Sequence, residues 1–212
     1  MKCLRHLTLV IALLIAAPAF SKTLTIGIDV STSNPLVTAP SYARVAAQYA
    51  RDQVRALQPG DIVQVRTFGD RGLVHFPSER IRLSRQNSAD KVADSIARFI
   101  AGLPSRPLQG QGSTNIIAFL EFGQFDCAND GRVLLLTDGI ESSSYIDDAN
   151  LLAGKAMPPP EKNLLSGCEV TMLGFGQSPD GALPPQAIKN ARASWAAWMK
   201  TADATFNPII DP

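Results

Sequence analysis

The feature that most constrains this chain is Thr23–Ser33, TLTIGIDVSTS, an apolar run that stops at an aspartate and continues into two serines at alternating positions. Leu24, Ile26, Ile28 and Val30 have the character of a short buried strand, and Asp29, Ser31 and Ser33 hang three oxygen-bearing side chains from its carboxyl end. Oxygen donors gathered in this way suit a hard cation. Mg²⁺ takes oxygen ligands in near-octahedral geometry at about 2.0–2.1 Å, and one or two carboxylates commonly hold it with positions left to water or a partner. The same residues also suit a plainer use, because an Asp or Ser directly after a strand can serve as the N-cap of a following helix.

Two later segments supply what a cation site would still lack. Gly112-Ser113-Thr114-Asn115 precedes the helix-like IIAFLEF and offers the Thr114 hydroxyl, while Val133–Asp138 (VLLLTD), followed by Gly139, is a second buried strand ending in aspartate. With these three pieces in order, the sequence resembles the von Willebrand factor type A (VWA) family. Its metal-ion-dependent adhesion site is written D-x-S-x-S, then a threonine, then an aspartate after a hydrophobic strand. The corresponding residues here are Asp29, Ser31 and Ser33, then Thr114, then Asp138, so the motif is intact, and the resemblance covers essentially the whole chain beyond its first 21 residues. It implies an α/β fold, doubly wound, with a mostly parallel central sheet, one antiparallel edge strand and helices on both faces. It also implies a divalent cation, Mg²⁺ or alternatively Mn²⁺ or Ca²⁺, held by those five residues. A protein partner's Asp or Glu carboxylate would then fill the open coordination position.

Residues 1–21 read as a signal peptide, which leaves 22–212 as one VWA-like domain. Lys2 and Arg5 form a positive start, Leu7–Ala16 an apolar core, and Ala17-Pro18-Ala19 or Ala19-Phe20-Ser21 a small-residue cleavage site. The apolar run is short of the ~20 residues that a membrane helix needs. Cys3 precedes the apolar core and so does not suit a lipoprotein anchor; it leaves with the signal. The expected location is outside the cytoplasm, periplasmic or extracellular, as in a bacterial exported single-domain protein. Processing removes two of the 20 Lys and Arg and none of the 19 Asp and Glu, so the formal charge moves from +1 to −1. A near-neutral domain has no electrostatic reason to bind nucleic acid or an anionic membrane surface. No second long apolar run follows, so no span is expected in the mature chain.

Cys127 and Cys168 survive processing, in no C-x-x-C arrangement. In an oxidising compartment an even pair is most simply a disulfide, with two free thiols as the alternative. Each lies just before an expected strand, Val133–Thr137 and Val170–Phe175.

The rest alternates between helical and strand patterns. Ser41–Leu57 has apolar residues at helical spacing, bounded by Pro40 and Pro59-Gly60, and Asp61–Phe68 is then a strand. Gly72–Phe76, after a tight turn, is expected to pair antiparallel at the edge. Ser88–Leu103 is a helix that Ser88 and Asp90 can cap, and Gly102–Gly112 a loop that delivers Thr114. Gly139–Asp148 is polar and expected to be exposed, with Glu141 on a solvated loop; a weak helix near Ala149–Ala156 and the Pro-rich Met157–Gly167 follow. Cys168–Gly176 is a buried strand, Pro184–Lys200 a helix with Ile188, Ala191, Trp195, Trp198 and Met199 on one face, and Ala204–Ile210 a last short strand. In such sheets ligands bind beyond the carboxyl ends of the strands, where the strand order reverses.

These readings point first to an exported, metal-dependent protein-interaction (adhesion) module working in a bacterial envelope assembly. A metal-dependent hydrolase is the competing class. After processing only His75 remains, on a strand, and no H-E-x-x-H, G-x-S-x-G or paired cysteine nucleophile is present, so the chain is not expected to be an enzyme. A VWA-like module that binds partners without metal is the third reading, and a metal titration separates it from the first.

Overall fold

A computed structural model describes residues 21–70, 80–106 and 111–211. Apart from Ser21, the signal segment lies outside the described residues, as do the expected strand Gly72–Phe76, His75, and positions 107–110 of the expected loop.

In chain order the elements are β1 (Thr23–Asp29), α1 (Pro35–Thr38), α2 (Pro40–Arg55), β2 (Ile62–Phe68), β3 (Ile81–Arg82), α3 (Ala89–Ala101) and a 3₁₀ turn at Leu103–Ser105. There follow α4 (Ile116–Phe122), β4 (Arg132–Leu136), α5 (Asp148–Leu152), β5 (Glu169–Leu173), the hairpin strands β6 (Gln177–Ser178) and β7 (Gly181–Ala182), α6 (Pro185–Thr201) and β8 (Thr205–Ile209). The main sheet has six strands in the order β3-β2-β1-β4-β5-β8. Every neighbouring pair is parallel except β2 with β3, so the antiparallel edge falls at Ile81–Arg82 among the described residues. From β1 the chain goes first to one side of the sheet and later returns to β4 on the other, so the strand order reverses between β1 and β4.

The sheet is sandwiched between two apolar layers. Leu24, Ile26 and Ile28 of β1, with Leu134 and Leu136 of β4, face the layer made by α1, α2 and α3. Val133 and Leu135 of β4, with Val170 and Met172 of β5, face the layer containing Phe119, Trp195, Trp198 and Met199. The period-2 alternation of a strand thus serves two cores at once, which is why these strands read as unbroken apolar runs. Gly27 marks a close approach: a Cβ there would lie 2.7 Å from Leu135 and 2.9 Å from Phe119, so the absent side chain is what lets α4 pack against β1. On the outer face, Arg51 and Arg55 of α2 pair with Asp94 and Asp90 of α3, contacts worth a few tenths of a kcal/mol to about 1 kcal/mol each.

Cys127 and Cys168 are joined, as expected, just ahead of β4 and β5. The bond closes the sheet at the end opposite the carboxyl ends of those strands. Among the described residues no helix is long and apolar enough to cross a membrane.

Candidate metal centre

The carboxyl ends of β1 and β4 are adjacent, and the residues singled out in the sequence gather around them. Asp29, the last residue of β1, is fully buried. Its Oδ1 accepts from the Ser31 backbone N–H at 2.9 Å and its Oδ2 from the Thr137 hydroxyl at 2.7 Å. Ser31 is buried and Ser33 exposed, with their hydroxyls 3.2 Å apart. Asp138 lies two residues beyond β4 and is 2 % exposed. One of its oxygens accepts from Ile140 N–H at 2.9 Å, and the Ser33 side chain is the second group that favours its ionised form.

Two braces tie down the main chain that carries these carboxylates. Asn34 donates through Nδ2 to both the Asp29 and Leu136 carbonyls, each at 3.0 Å, tying the ends of β1 and β4 together. Its Oδ1 accepts from Leu36 N–H at 3.1 Å and caps α1, so the residue that a pure N-cap reading requires is Asn34, not Asp29, Ser31 or Ser33. On the other side, Trp195 of α6 donates its indole N–H to the Gly139 carbonyl at 2.8 Å, and Phe175 packs over Gly139. A Cβ at Gly139 would sit 2.5 Å from that ring in a backbone of φ +73°, so glycine is needed directly after Asp138.

Thr114 arrives from a third segment. Its loop is sewn to the β1 end by Gln111, whose carbonyl accepts from Thr32 N–H at 3.0 Å, and Thr114 itself exchanges both backbone hydrogen bonds with Ser142. Thr114 is buried, and its segment bridges to Ser31 through Gln111 and to Ser142 through Thr114 itself. The segments that carry the five residues read from the sequence therefore meet at the carboxyl ends of β1 and β4.

Glu141 differs from expectation: it is not on a solvated loop but fully buried. Its Oε2 accepts from Ile116 N–H at 2.7 Å and Ile117 N–H at 3.0 Å, the first two free amides of α4, while Asn115 takes that of Ala118 at 3.0 Å. Gly139, Ile140 and Ile146 are buried with it, so Gly139–Asp148 is only partly the exposed stretch its composition suggested. A carboxylate capping a helix from 24 residues away leaves no local sequence signature.

The electrostatics are one-sided. Burial pushes the Asp29 carboxyl well above the usual carboxylate range, against the Ser31 and Thr137 hydrogen bonds. Burial also raises Asp138, and the charge of Asp29 raises it further. Glu141 is pushed up to about 7, chiefly by burial, with the Ser143 side chain and the two α4 amides opposing and the Asp29 charge adding. Among the described residues none of the three joins an ion pair. Buried like charges without a counter-charge carry a large desolvation penalty. Two carboxylates with the Ser31 and Ser33 hydroxyls beside them, and buried Thr114 on the segment paired to Ser142, offer the oxygen donors that a hard divalent cation takes. No three His, Cys, Asp or Glu side chains converge closely enough among the described residues to share an ion, so hydroxyls have to complete any such set.

No known family's sequence profile matches the chain, and no curated protein sequence matches it. Solved structures do. The pilus adhesin SpaC from Lactobacillus rhamnosus GG superposes with a TM-score of 0.50 at 15% identity, over 90% of this chain and 28% of that one. An aerotolerance-related membrane protein from Bacteroides fragilis is 18% identical with a TM-score of 0.49, covering 89% of this chain and 92% of that one. BatB from Bacteroides thetaiotaomicron is 16% identical with a TM-score of 0.48, covering 91% and 92%. At these identities the likeness concerns the fold alone, and the topology agrees with it: the chain has an α/β fold of the VWA-like kind.

Proposed function

We propose that this chain is an exported, metal-dependent protein-interaction module of a bacterial envelope assembly and not an enzyme. In this reading Asp29, Ser31, Ser33, Thr114 and Asp138 hold a divalent cation, Mg²⁺ in the first instance, and a partner protein's Asp or Glu carboxylate completes its coordination. The observation that carries the reading is the pair Asp29 and Asp138: two braced, buried carboxylates at adjacent strand ends, each raised in pKa and neither joined to a basic side chain among the described residues. A cation would supply the missing counter-charge, and the exposure of Ser33 supports a site at the surface, where a partner can reach it. The Cys127–Cys168 bond accords with an oxidising compartment.

Calorimetry with Mg²⁺ tests the site, and partner retention from envelope extract tests the use. Asp29→Ala is expected to abolish Mg²⁺ binding with an unchanged circular dichroism spectrum. Retention is expected to fail in EDTA and in Thr114→Ala, yet to survive moderate salt, because a buried ion contact is little screened. Undiminished Mg²⁺ binding by Asp29→Ala, or a partner that stays bound in EDTA and to Thr114→Ala, would refute the proposal.

A further inference from the structure

Glu141 is the buried acid nearest this site that the five-residue set leaves unexplained. It stands three residues after Asp138 and is fully buried, and Oε1 makes no hydrogen bond of normal geometry. Its Oε2 grips the amides of Ile116 and Ile117, two and three residues after Thr114. Ser142, its chain neighbour, pairs with the Thr114 backbone through Thr114 N–H to Ser142 O at 3.3 Å and Ser142 N–H to Thr114 O at 2.9 Å. The Asp138 segment is thus clamped to the Thr114 segment at two successive residues. Glu141 does not reach the ion as a third acid beside the aspartates, since no such three-acid cluster forms among the described residues.

From this geometry we infer that Glu141 is a positioning residue: by fixing the start of α4 against the Asp138 segment, it sets the place of the Thr114 hydroxyl at the cation. The inference rests on reading the site as a cation site and adds a residue that the motif does not contain. Side chains that orient metal ligands typically change affinity 10- to 100-fold when removed. If Glu141 works through Thr114, the two residues are one functional unit and their removals do not add. The cation and the Glu141–α4 clamp are also linked reciprocally, so binding at one must tighten the other.

The test is Mg²⁺ titration of the full chain at neutral pH. Glu141→Ala is expected to weaken Mg²⁺ binding at least tenfold. Glu141→Gln keeps a carbonyl oxygen for both amides and is expected to stay within about threefold of wild type. The double variant Glu141→Ala, Thr114→Ala should bind no more weakly than Thr114→Ala alone. Because Glu141→Ala leaves two buried amides unpaired and can fail to fold, the wild type supplies a second measurement. Amide exchange at Ile116 and Ile117 should slow at least tenfold when Mg²⁺ is added. Unchanged Mg²⁺ affinity in a folded Glu141→Ala, additive losses in the double variant, Glu141→Gln as weak as Glu141→Ala, or amide exchange indifferent to Mg²⁺ would each overturn the inference. If Asp29→Ala abolishes binding while Glu141→Ala does not alter it, only this inference falls. If wild type binds no Mg²⁺, the cation reading falls and takes the inference with it.

Discussion

In EDTA, the protein should become less stable as pH rises from 5 to 8, the reverse of ordinary acid denaturation, and Mg²⁺ should cancel the loss. Glu141 gives the magnitude. Its carboxyl moves from 4.5 in the unfolded chain to about 7 in the fold, so the fold binds the proton more tightly than the unfolded chain does. A group raised in this way contributes its full stability below the unfolded value and loses it as pH climbs through the folded value. Integrating the linkage relation for these two values gives a loss of about 2.5 kcal/mol between pH 5 and pH 8. For a domain of this size that is a fall in Tm of roughly 5–10 °C. Asp29 and Asp138 are raised as well and act in the same direction. The assay is a set of thermal melts at pH 5, 6, 7 and 8 in EDTA, repeated in millimolar Mg²⁺ and repeated on Glu141→Gln. Wild type in EDTA should show the decline, wild type in Mg²⁺ should not, and Glu141→Gln should decline less steeply. A Tm in EDTA that is flat or rises across this range would refute the view that these carboxylates are buried without a counter-charge.

Three further outcomes follow from particular contacts. The Cys127–Cys168 bond spans 41 residues, and in the chain-entropy account its loss in Cys127→Ser/Cys168→Ser costs about 4 kcal/mol, read from urea denaturation; denatured, unreduced protein should label at neither position. Trp195→Phe removes the donor to the buried Gly139 carbonyl, which alone costs about 1–3 kcal/mol, and calorimetry should show weaker Mg²⁺ binding because the turn carrying Asp138 loses its strut. Gly27→Ala places a methyl 2.7 Å from Leu135 and 2.9 Å from Phe119 and should destabilise by about 1–3 kcal/mol, measured by thermal melt, and an unchanged Tm would mean that α4 can move away from β1 at no cost.

The elements legible in the sequence were those whose pattern is local. Ile116–Phe122, the helix following Thr114, occupies the IIAFLEF segment, and the buried face of α6 carries Ala191, Trp195, Trp198 and Met199 from the apolar set read from its spacing. The oxygen-bearing residues at two strand ends could be brought together on paper because a parallel sheet places its carboxyl ends on one side. What composition concealed was tertiary. Glu141 sits in a run of serines and acids that looks solvated, and only the two free amides of α4 explain its burial. Asn34 is not among the residues singled out in the sequence, yet it joins two strands across 102 positions. The edge strand was expected at Gly72–Phe76, outside the described residues, whereas Ile81–Arg82 forms the antiparallel pair with β2. Two residues are too few to produce a hydrophobic period.

A second carboxylate in the same sheet shows why burial alone does not mark the site. Asp61 is 7 % exposed at the opposite end of the strands, just ahead of β2. Its Oδ1 accepts from Lys22 N–H at 2.9 Å and its Oδ2 from Gln58 N–H at 2.8 Å, so each oxygen is spent on a backbone donor and the residue closes a turn. That is a structural use, complete within the chain. Asp29 and Asp138 are also hydrogen-bonded, but they face each other's charge, the main chain that carries them is tied down by Asn34 and Trp195, and the Ser31 and Ser33 hydroxyls lie beside them. A fold indifferent to ligands gains nothing by holding two acids together in this way, since apolar residues of similar size would remove both the desolvation penalty and the repulsion. Local arrangements that work against stability while the surrounding contacts enforce them are expected at functional sites. The difference between Asp61 and the Asp29–Asp138 pair is therefore a difference between a carboxylate satisfied by two backbone donors and two buried carboxylates that repel each other with no basic partner among the described residues.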